Sequence, residues 1–340
     1  MPGESEVISM IRARAWQERG SGVELGIGDD AAVLRAEAGV DFLFCSDLSI
    51  EGVHFRTEWA GPKLIGHKAL AATISDVAAM GGEPRYAVAS IALTKGSSME
   101  FIEELLSGMF DLANAFGFSL VGGDTSASPG PLFIDTSAIG VCGRGRAITR
   151  RGARPGDLVY VTGDLGNSAL GLSLLKRGFR SDESVSDSSD RISRAIQAAI
   201  KRHLIPAPRV LAGRMLGLGG LATAMIDISD GLGTDLGHIA EDSKCGAIIH
   251  AELLPIARAV RDLSRAGGET DPVELALESG EEYELAFCSP PEASERIREM
   301  SRELQLPITR IGEMIGESGL YIQRDGQTAM MDIKGFEHQI

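Results

Sequence analysis

The 340 residues are 44% hydrophobic and 24% charged, a balance that excludes a disordered chain and suits two domains, each with its own core. With 48 Asp and Glu against 33 Lys and Arg the net charge is −15, which repels phosphate backbones and argues against nucleic acid as a partner. The 4 cysteines lie apart with no CxxC pair, residues 1–17 lack the apolar core of a signal peptide, and no apolar run nears the ~20 residues of a membrane helix; we expect reduced thiols, a cytoplasmic setting and no membrane.

Strand-like and helix-like segments alternate, which predicts an α/β (α+β) fold. Residues 40–45 and 86–93 read as strands. Residues 67–80 read as a helix that is apolar nearly all round, and 98–116 as a helix opened by a capping box of Ser97 with Glu100. Further strands are expected at 118–121 and 132–141. The stretch from Thr149 to Asp157 is basic and broken by Gly152, Pro155 and Gly156, so we place the domain boundary there, giving 1–148 and 149–340. A strand at 158–162 and a helix at 167–177 follow. The run 181–190 holds five serines and four acids and reads as a mobile surface loop or lid. A helix at 208–216, a strand at 223–228 and a mixed α/β tail complete the chain.

The informative feature is where the acids fall. Gly26-Ile27-Gly28-Asp29-Asp30 imitates a dinucleotide fingerprint, yet two adjacent carboxylates would face the pyrophosphate and the residues after it look like strands. A hard cation suits the pair better, with an Asp-rich β-turn as the other reading. Residues 42–47 form a buried-looking strand that ends in Asp47. Asp76 lies in the apolar helix, where a carboxylate costs several kcal/mol unless it is paired or metal-bound; a buried Asp–Arg pair stays open. In Val121-Gly122-Gly123-Asp124 the glycines permit close backbone approach to a phosphate, and the acid can hold its metal. Asp227 and Asp230 converge only if the chain turns after Ser229, which Gly231 supports.

Asp30, Asp47, Asp76, Asp124, Asp227 and Asp230 cannot gather in one cleft without divalent cations, since like charges ~4 Å apart repel by about 4 kcal/mol per pair at an effective dielectric of ~20. Oxygen ligands favour Mg²⁺, which shares its shell with phosphate, so a nucleotide is implied. The chain has neither the P-loop nor the protein-kinase motifs. Arg150, Arg151 and Arg154 are the natural cationic contacts, a solvated connector being the equal reading for the last two.

At these residues the sequence resembles the thiamine-monophosphate kinase family, within the superfamily of aminoimidazole ribonucleotide synthetase-like ATP enzymes. The likeness runs from Glu24-Leu25-Gly26-Ile27-Gly28-Asp29-Asp30 to Lys334-Gly335-Phe336-Glu337-His338. Between them lie Glu51-Gly52-Val53-His54-Phe55, Lys68-Ala69-Leu70-Ala71, Ser75-Asp76-Val77, Gly122-Gly123-Asp124-Thr125, Asp227-Ile228-Ser229-Asp230-Gly231-Leu232 and Gly280-Glu281-Glu282-Tyr283-Glu284-Leu285. The resemblance implies a two-domain fold whose N-terminal domain dimerises through its sheet, and a site between domains near the dimer interface. It implies magnesium on Asp30, Ser46, Asp47, Asp76, Asp124, Asp227 and Asp230. ATP would meet Gly123, Asp124, Arg150 and Ser229, and thiamine monophosphate would meet His54, Glu281 and Phe336. Cys45, Glu282 and Ala127 depart from the family pattern.

The acceptor would be a phosphate monoester, mostly dianionic at neutral pH, so no general base is expected and the acids are cast as metal ligands. The cationic thiazolium calls for an aromatic face and an acid, Phe336 and Glu281, with Trp59 as a further candidate; a purely structural Phe336 is the bland reading. Competing readings are a ribonucleotide cyclo-ligase, a selenophosphate synthetase (which needs a reactive Cys near Gly26–Asp30, where none stands) and a non-catalytic sensor or maturation partner.

Overall fold

The computed structural model describes residues 23–25, 32–35, 39–181, 190–267 and 271–331. Asp30, Phe336 and most of the polar run 181–190 lie outside the described residues. In chain order the first half comprises β1 (Val23–Leu25), β2 (Ala32–Arg35), β3 (Val40–Ile50), α1 (Pro62–Ala79), β4 (Glu83–Leu93), α2 (Met99–Phe116), β5 (Ser119–Ala127) and β6 (Phe133–Gly143). The second comprises β7 (Leu158–Thr162), α3 (Asn167–Lys176), α4 (Arg191–Leu204), α5 (Val210–Gly219), β8 (Ala224–Asp227), α6 (Leu232–Ser243), β9 (Gly246–His250), α7 (Arg258–Arg265), α8 (Pro272–Glu278), β10 (Leu285–Ser289), α9 (Ser294–Leu304), β11 (Ile308–Ile315), β12 (Gly319–Arg324) and β13 (Gln327–Met330). The expected α/β class holds.

Each half has its own mixed sheet. The first runs β1-β2-β3-β6-β4-β5 and the second β13-β12-β9-β11-β7-β10-β8. Only β4–β5 and β9–β12 pair in parallel among the described strands.

Helix α1 is the spine that joins the halves. It starts before the expected residue 67, because Pro62 follows Gly61 and fits the first turn, where a missing N–H costs nothing. One side packs beneath β3, β6 and β4, another against α2, and its C-terminal turn against α5 and β8. The crossings are close: a Cβ on Gly66 would stand 1.9 Å from the Leu105 carbonyl oxygen, and one on Gly108 1.9 Å from that of Lys63. Glycine is demanded there by the neighbouring helix, not by a turn.

Three local expectations are corrected. The cap of α2 is Ser98, whose Oγ accepts from Phe101 N at 3.1 Å, while Ser97 Oγ donates to Thr94 O. Strand β3 does not end at Asp47 but runs on to Ile50. Helix α4 was not expected; Asp190 caps it, and Ala195, Ala199, Ile200 and Leu204 form its buried stripe. No described helix is long and apolar enough to cross a membrane.

Candidate active site

A cleft opens where the end of β3, the middle of α1 and the loop before β10 meet, and it encloses ≈ 440 Å³ with its open mouth included. Asp47, His54, Lys68, Ala72, Glu281 and Tyr283 are among its walls. Along α1, Lys68, Ala72 and Asp76 stand one turn apart on a single stripe, which rises about 12 Å along the helix axis at 1.5 Å per residue. Ala72 and Asp76 are half-buried within an otherwise buried run. The small side chain of Ala72 keeps the stripe open.

The far wall is a pair of loops locked by backbone hydrogen bonds. Glu281 N donates to Ser229 O at 2.8 Å, Tyr283 N to Ile228 O at 2.9 Å, and Ile228 N to Glu284 O at 2.7 Å. Glu281 and Tyr283 take left-handed φ of 55° and 51°, a strained state for residues with side chains that must be imposed by their surroundings. The alternation sends Glu281 and Tyr283 to the cleft and Glu282 the other way. There Glu282 Oε1 accepts from Gly166 N (2.7 Å) and Ser168 N (3.0 Å), capping α3 from a distant segment.

The second loop is shaped by Asp235 in the first turn of α6. Its Oδ2 accepts from Ser229 N, Asp230 N and Gly231 N at 3.1, 3.2 and 3.1 Å. This holds the bend at Ser229 and Asp230, where the sequence called for a turn. Asp227 itself is buried and accepts from Ser75 Oγ at 2.5 Å, so strand β8 is tied directly to α1.

Tyr283 reports on the electrostatics. Burial, and then the carboxylates of Glu281, Asp47, Asp227 and Asp76, push its phenol well above the usual range. Four acids from four segments therefore act on one hydroxyl. It stays protonated at neutral pH and can only gain by donating to an anion. Opposite, His54 Nδ1 accepts from Ile50 N at 3.0 Å, which fixes the neutral tautomer with its proton on Nε2.

Comparison with known proteins follows the same lines. Residues 28–142 match the AIR synthase related protein N-terminal domain, and residues 154–325 its C-terminal domain. The thiamine-monophosphate kinase of Escherichia coli K12 is 39% identical over 317 residues, covering 93% of this chain and 92% of the relative. That of Bacillus subtilis is 37% identical over 320 residues, covering 94% of each. The chain belongs to the thiamine-monophosphate kinase family. Its structure is similar to that of the thiamine-monophosphate kinase from Stenotrophomonas maltophilia (TM-score 0.77, 36% identity, 95% and 97% covered). It is also similar to AaThiL complexed with AMPPCP and TMP (TM-score 0.83, 30% identity, 99% and 97% covered). The hydrogenase maturation protein HypE of E. coli, 21% identical at a TM-score of 0.70, shares the fold.

Not every residue that the family resemblance singles out lies in this cleft. Side chains alternate along β3, so Asp47 shares the helix-facing side with Leu43 and Cys45 while Ser46 points outward, bonded to Asp135 (2.8 Å) and Ser137 (2.9 Å). The register puts Asp124 in the outward row with Ser90, Asp135 and Leu48, three strands from β3, or about 14 Å at 4.8 Å per strand. One ion cannot touch the side chains of Asp47, Ser46 and Asp124 together. Gly123 is required by the backbone of β4, since a Cβ would stand 1.9 Å from Ala89 O. Arg150 and Ser229 lie half-buried near β8: Thr149 O accepts from Met225 N, and Arg150 O from Ser243 Oγ. The guanidinium of Arg56 lies over the Trp59 ring, 5.3 Å from its centroid, which occupies one face of that ring.

Among the described residues no three His, Cys, Asp or Glu side chains form a ready cage for a metal ion. Magnesium is ordinarily held by one or two carboxylates together with substrate phosphates. The donors at the cleft are carboxylate oxygens and hydroxyls, while Cys45 turns its thiol to Thr73 O at 3.3 Å. That set fits a hard cation. Sequence reasoning missed Lys68, His203, Asp235 and the role of Tyr283. The lysine inside an apolar helix was a usable signal.

Proposed function

We propose that this enzyme transfers the γ-phosphoryl group of ATP to thiamine monophosphate, giving thiamine diphosphate, and that it works in the cytoplasm. The carrying observation is the convergence of Asp47, Asp76, Asp227 and Glu281 on Tyr283 in the cleft, in a chain that spans more than nine-tenths of its kinase relatives. Asp47, Asp76, Asp227 and Asp230, with Asp30, would hold Mg²⁺, which supplies charge neutralisation between two anionic substrates. The distance to Asp124 argues for ions spread along a polyphosphate and not for a single cage.

The residues of the chain then divide the work. Arg150 and Ser229 contact the nucleotide beside β8. His54, through Nε2–H, and Tyr283, through its hydroxyl, donate to the acceptor phosphate. Glu281 and Phe336 take the cationic ring. The dianionic acceptor attacks without a general base, so no proton has to leave it.

The enzyme acts as a homodimer through the outward face of the first sheet. Phe42, Phe44, Leu48, Tyr86 and Val88 stand exposed there at 37, 43, 51, 50 and 36%, an apolar patch that a partner copy would cover.

ADP release measured side by side with thiamine monophosphate, thiamine and aminoimidazole ribonucleotide precursors tests the reading. Release with thiamine monophosphate alone is expected; release with a purine precursor overturns it in favour of a cyclo-ligase. Asp47→Asn should lower kcat by at least about 100-fold, as loss of a preorganised transition-state charge contact does, with an unchanged Tm. Phe336→Ala should raise KM for the acceptor and leave KM for ATP alone.

A further inference from the structure

Lys68 is the only lysine among the buried residues described, 6% exposed at the floor of the cleft. Its ammonium meets both Glu281 oxygens at 3.0 Å, His203 Nε2 at 3.2 Å and His54 O at 3.3 Å. Three N–H groups thus already serve four acceptors, and none is left over for a substrate. Lys68 comes from the first half of the chain, Glu281 and His203 from the second.

We propose that Lys68 is a positioning residue of the acceptor subsite, holding the Glu281 carboxylate charged and fixed in orientation so that it presents only lone pairs to the acceptor's cationic ring. This rests on Glu281 touching the acceptor.

The groups around Glu281 make the arrangement one-sided. His203 is 1% exposed, and burial together with the Lys68 charge lowers it to about 3, so it is neutral and accepts from Lys68 at Nε2. Its Nδ1 then carries the proton, 3.1 Å from Ser168 Oγ and 3.5 Å from Glu281 Oε2. Burial pushes the Glu281 carboxyl up, but the Lys68 charge and hydrogen bond outweigh it and leave it below the usual range. Asp47 and Tyr283 complete the charged and titratable lining of the cleft. Without Lys68 the charge and hydrogen bond that offset burial are gone, and the carboxyl takes up a proton within the assay range.

The test is a cycle of Lys68→Met, Lys68→Arg, Glu281→Gln and the double variant Lys68→Met/Glu281→Gln, reading KM for thiamine monophosphate against pH. Glu281→Gln should raise KM by about 10-fold or more at every pH, the worth of a charged hydrogen bond. Lys68→Met should match it near about pH 6 and recover towards wild type near about pH 9, because the unsupported carboxyl ionises only as pH rises. Lys68→Arg should keep the wild-type profile. The double variant buries no unpaired charge, so it stays readable if Lys68→Met fails to fold; its KM should equal that of Glu281→Gln.

A KM in Lys68→Met that is unchanged, or raised equally at all pH values, overturns the inference. So does a double variant whose defects multiply, since Lys68 would then act on its own. An unchanged KM in Glu281→Gln removes the acceptor contact itself, and the inference falls with it.

Discussion

In the C-terminal sheet, strands β7 and β10 are buried at every position, and helices cover both faces. Strand β3 of the N-terminal sheet buries only alternate residues, and the others include Phe42, Phe44 and Leu48, exposed and apolar. One sheet is finished within a single chain; the other is finished on the side of α1 only. The polar clusters differ in the same sense. Behind the cleft, Glu284 is enclosed by Thr162, Arg202 and Arg209, whereas Ser46, Asp135 and Ser137 on the open face satisfy one another at an exposed surface. The second half supplies a rigid frame, and the first leaves an apolar sheet face exposed.

Phe44→Asp breaks that contrast most directly. If the open face is a dimer contact, each copy loses the burial of one Phe, ~1.5–3 kcal/mol, so the dimer loses about 3–6 kcal/mol. Sedimentation should then show monomer at concentrations where the wild type is dimeric; an unchanged oligomeric state refutes the covered face. Glu284→Gln attacks the frame instead. Leaving the buried Arg202 and Arg209 without their carboxylate should cost about 3–5 kcal/mol in urea unfolding.

Glu282 sharpens the picture through pH. Burial pushes its carboxyl up to about 7 despite Arg202 and the bonds from Ser279 and Ser168. The folded state therefore holds this proton more tightly than the unfolded one, whose ordinary value is 4.5. Its contribution to stability is fully present below that value and is lost as pH rises through about 7. The loss amounts to about 3 kcal/mol. Glu282→Gln should remove this pH dependence, so its stability relative to wild type should improve between about pH 4.5 and 7 in chemical unfolding at each pH.

Much of the scaffold was legible in the chain. The apolar spacing of α2 announces an amphipathic helix, and the Gly/Pro-punctuated basic stretch from Thr149 to Asp157 lies between β6, which ends at Gly143, and β7, which begins at Leu158. Helix α4 went unread because a polar run precedes it and its buried stripe mixes two alanines and a histidine with only two large apolar residues. Asp47, Asp76 and Asp227, singled out in the sequence by their apolar settings, all act on the Tyr283 hydroxyl. The opposite facing of Ser46 and the remoteness of Asp124 follow from strand alternation and strand order, and the second of these requires the assembled sheet.

Taken alone, the sequence determined the α/β class, the family, and the residues whose charge has no place in an apolar setting, because local periodicity and unfavourable burial are properties of short segments. Tertiary structure decided which of those charges meet. Ser75 finds Asp227 across 152 residues, and Lys68 finds Glu281 across 213. Coulomb energy depends on distance and dielectric in space, and neither is written in the spacing along the chain.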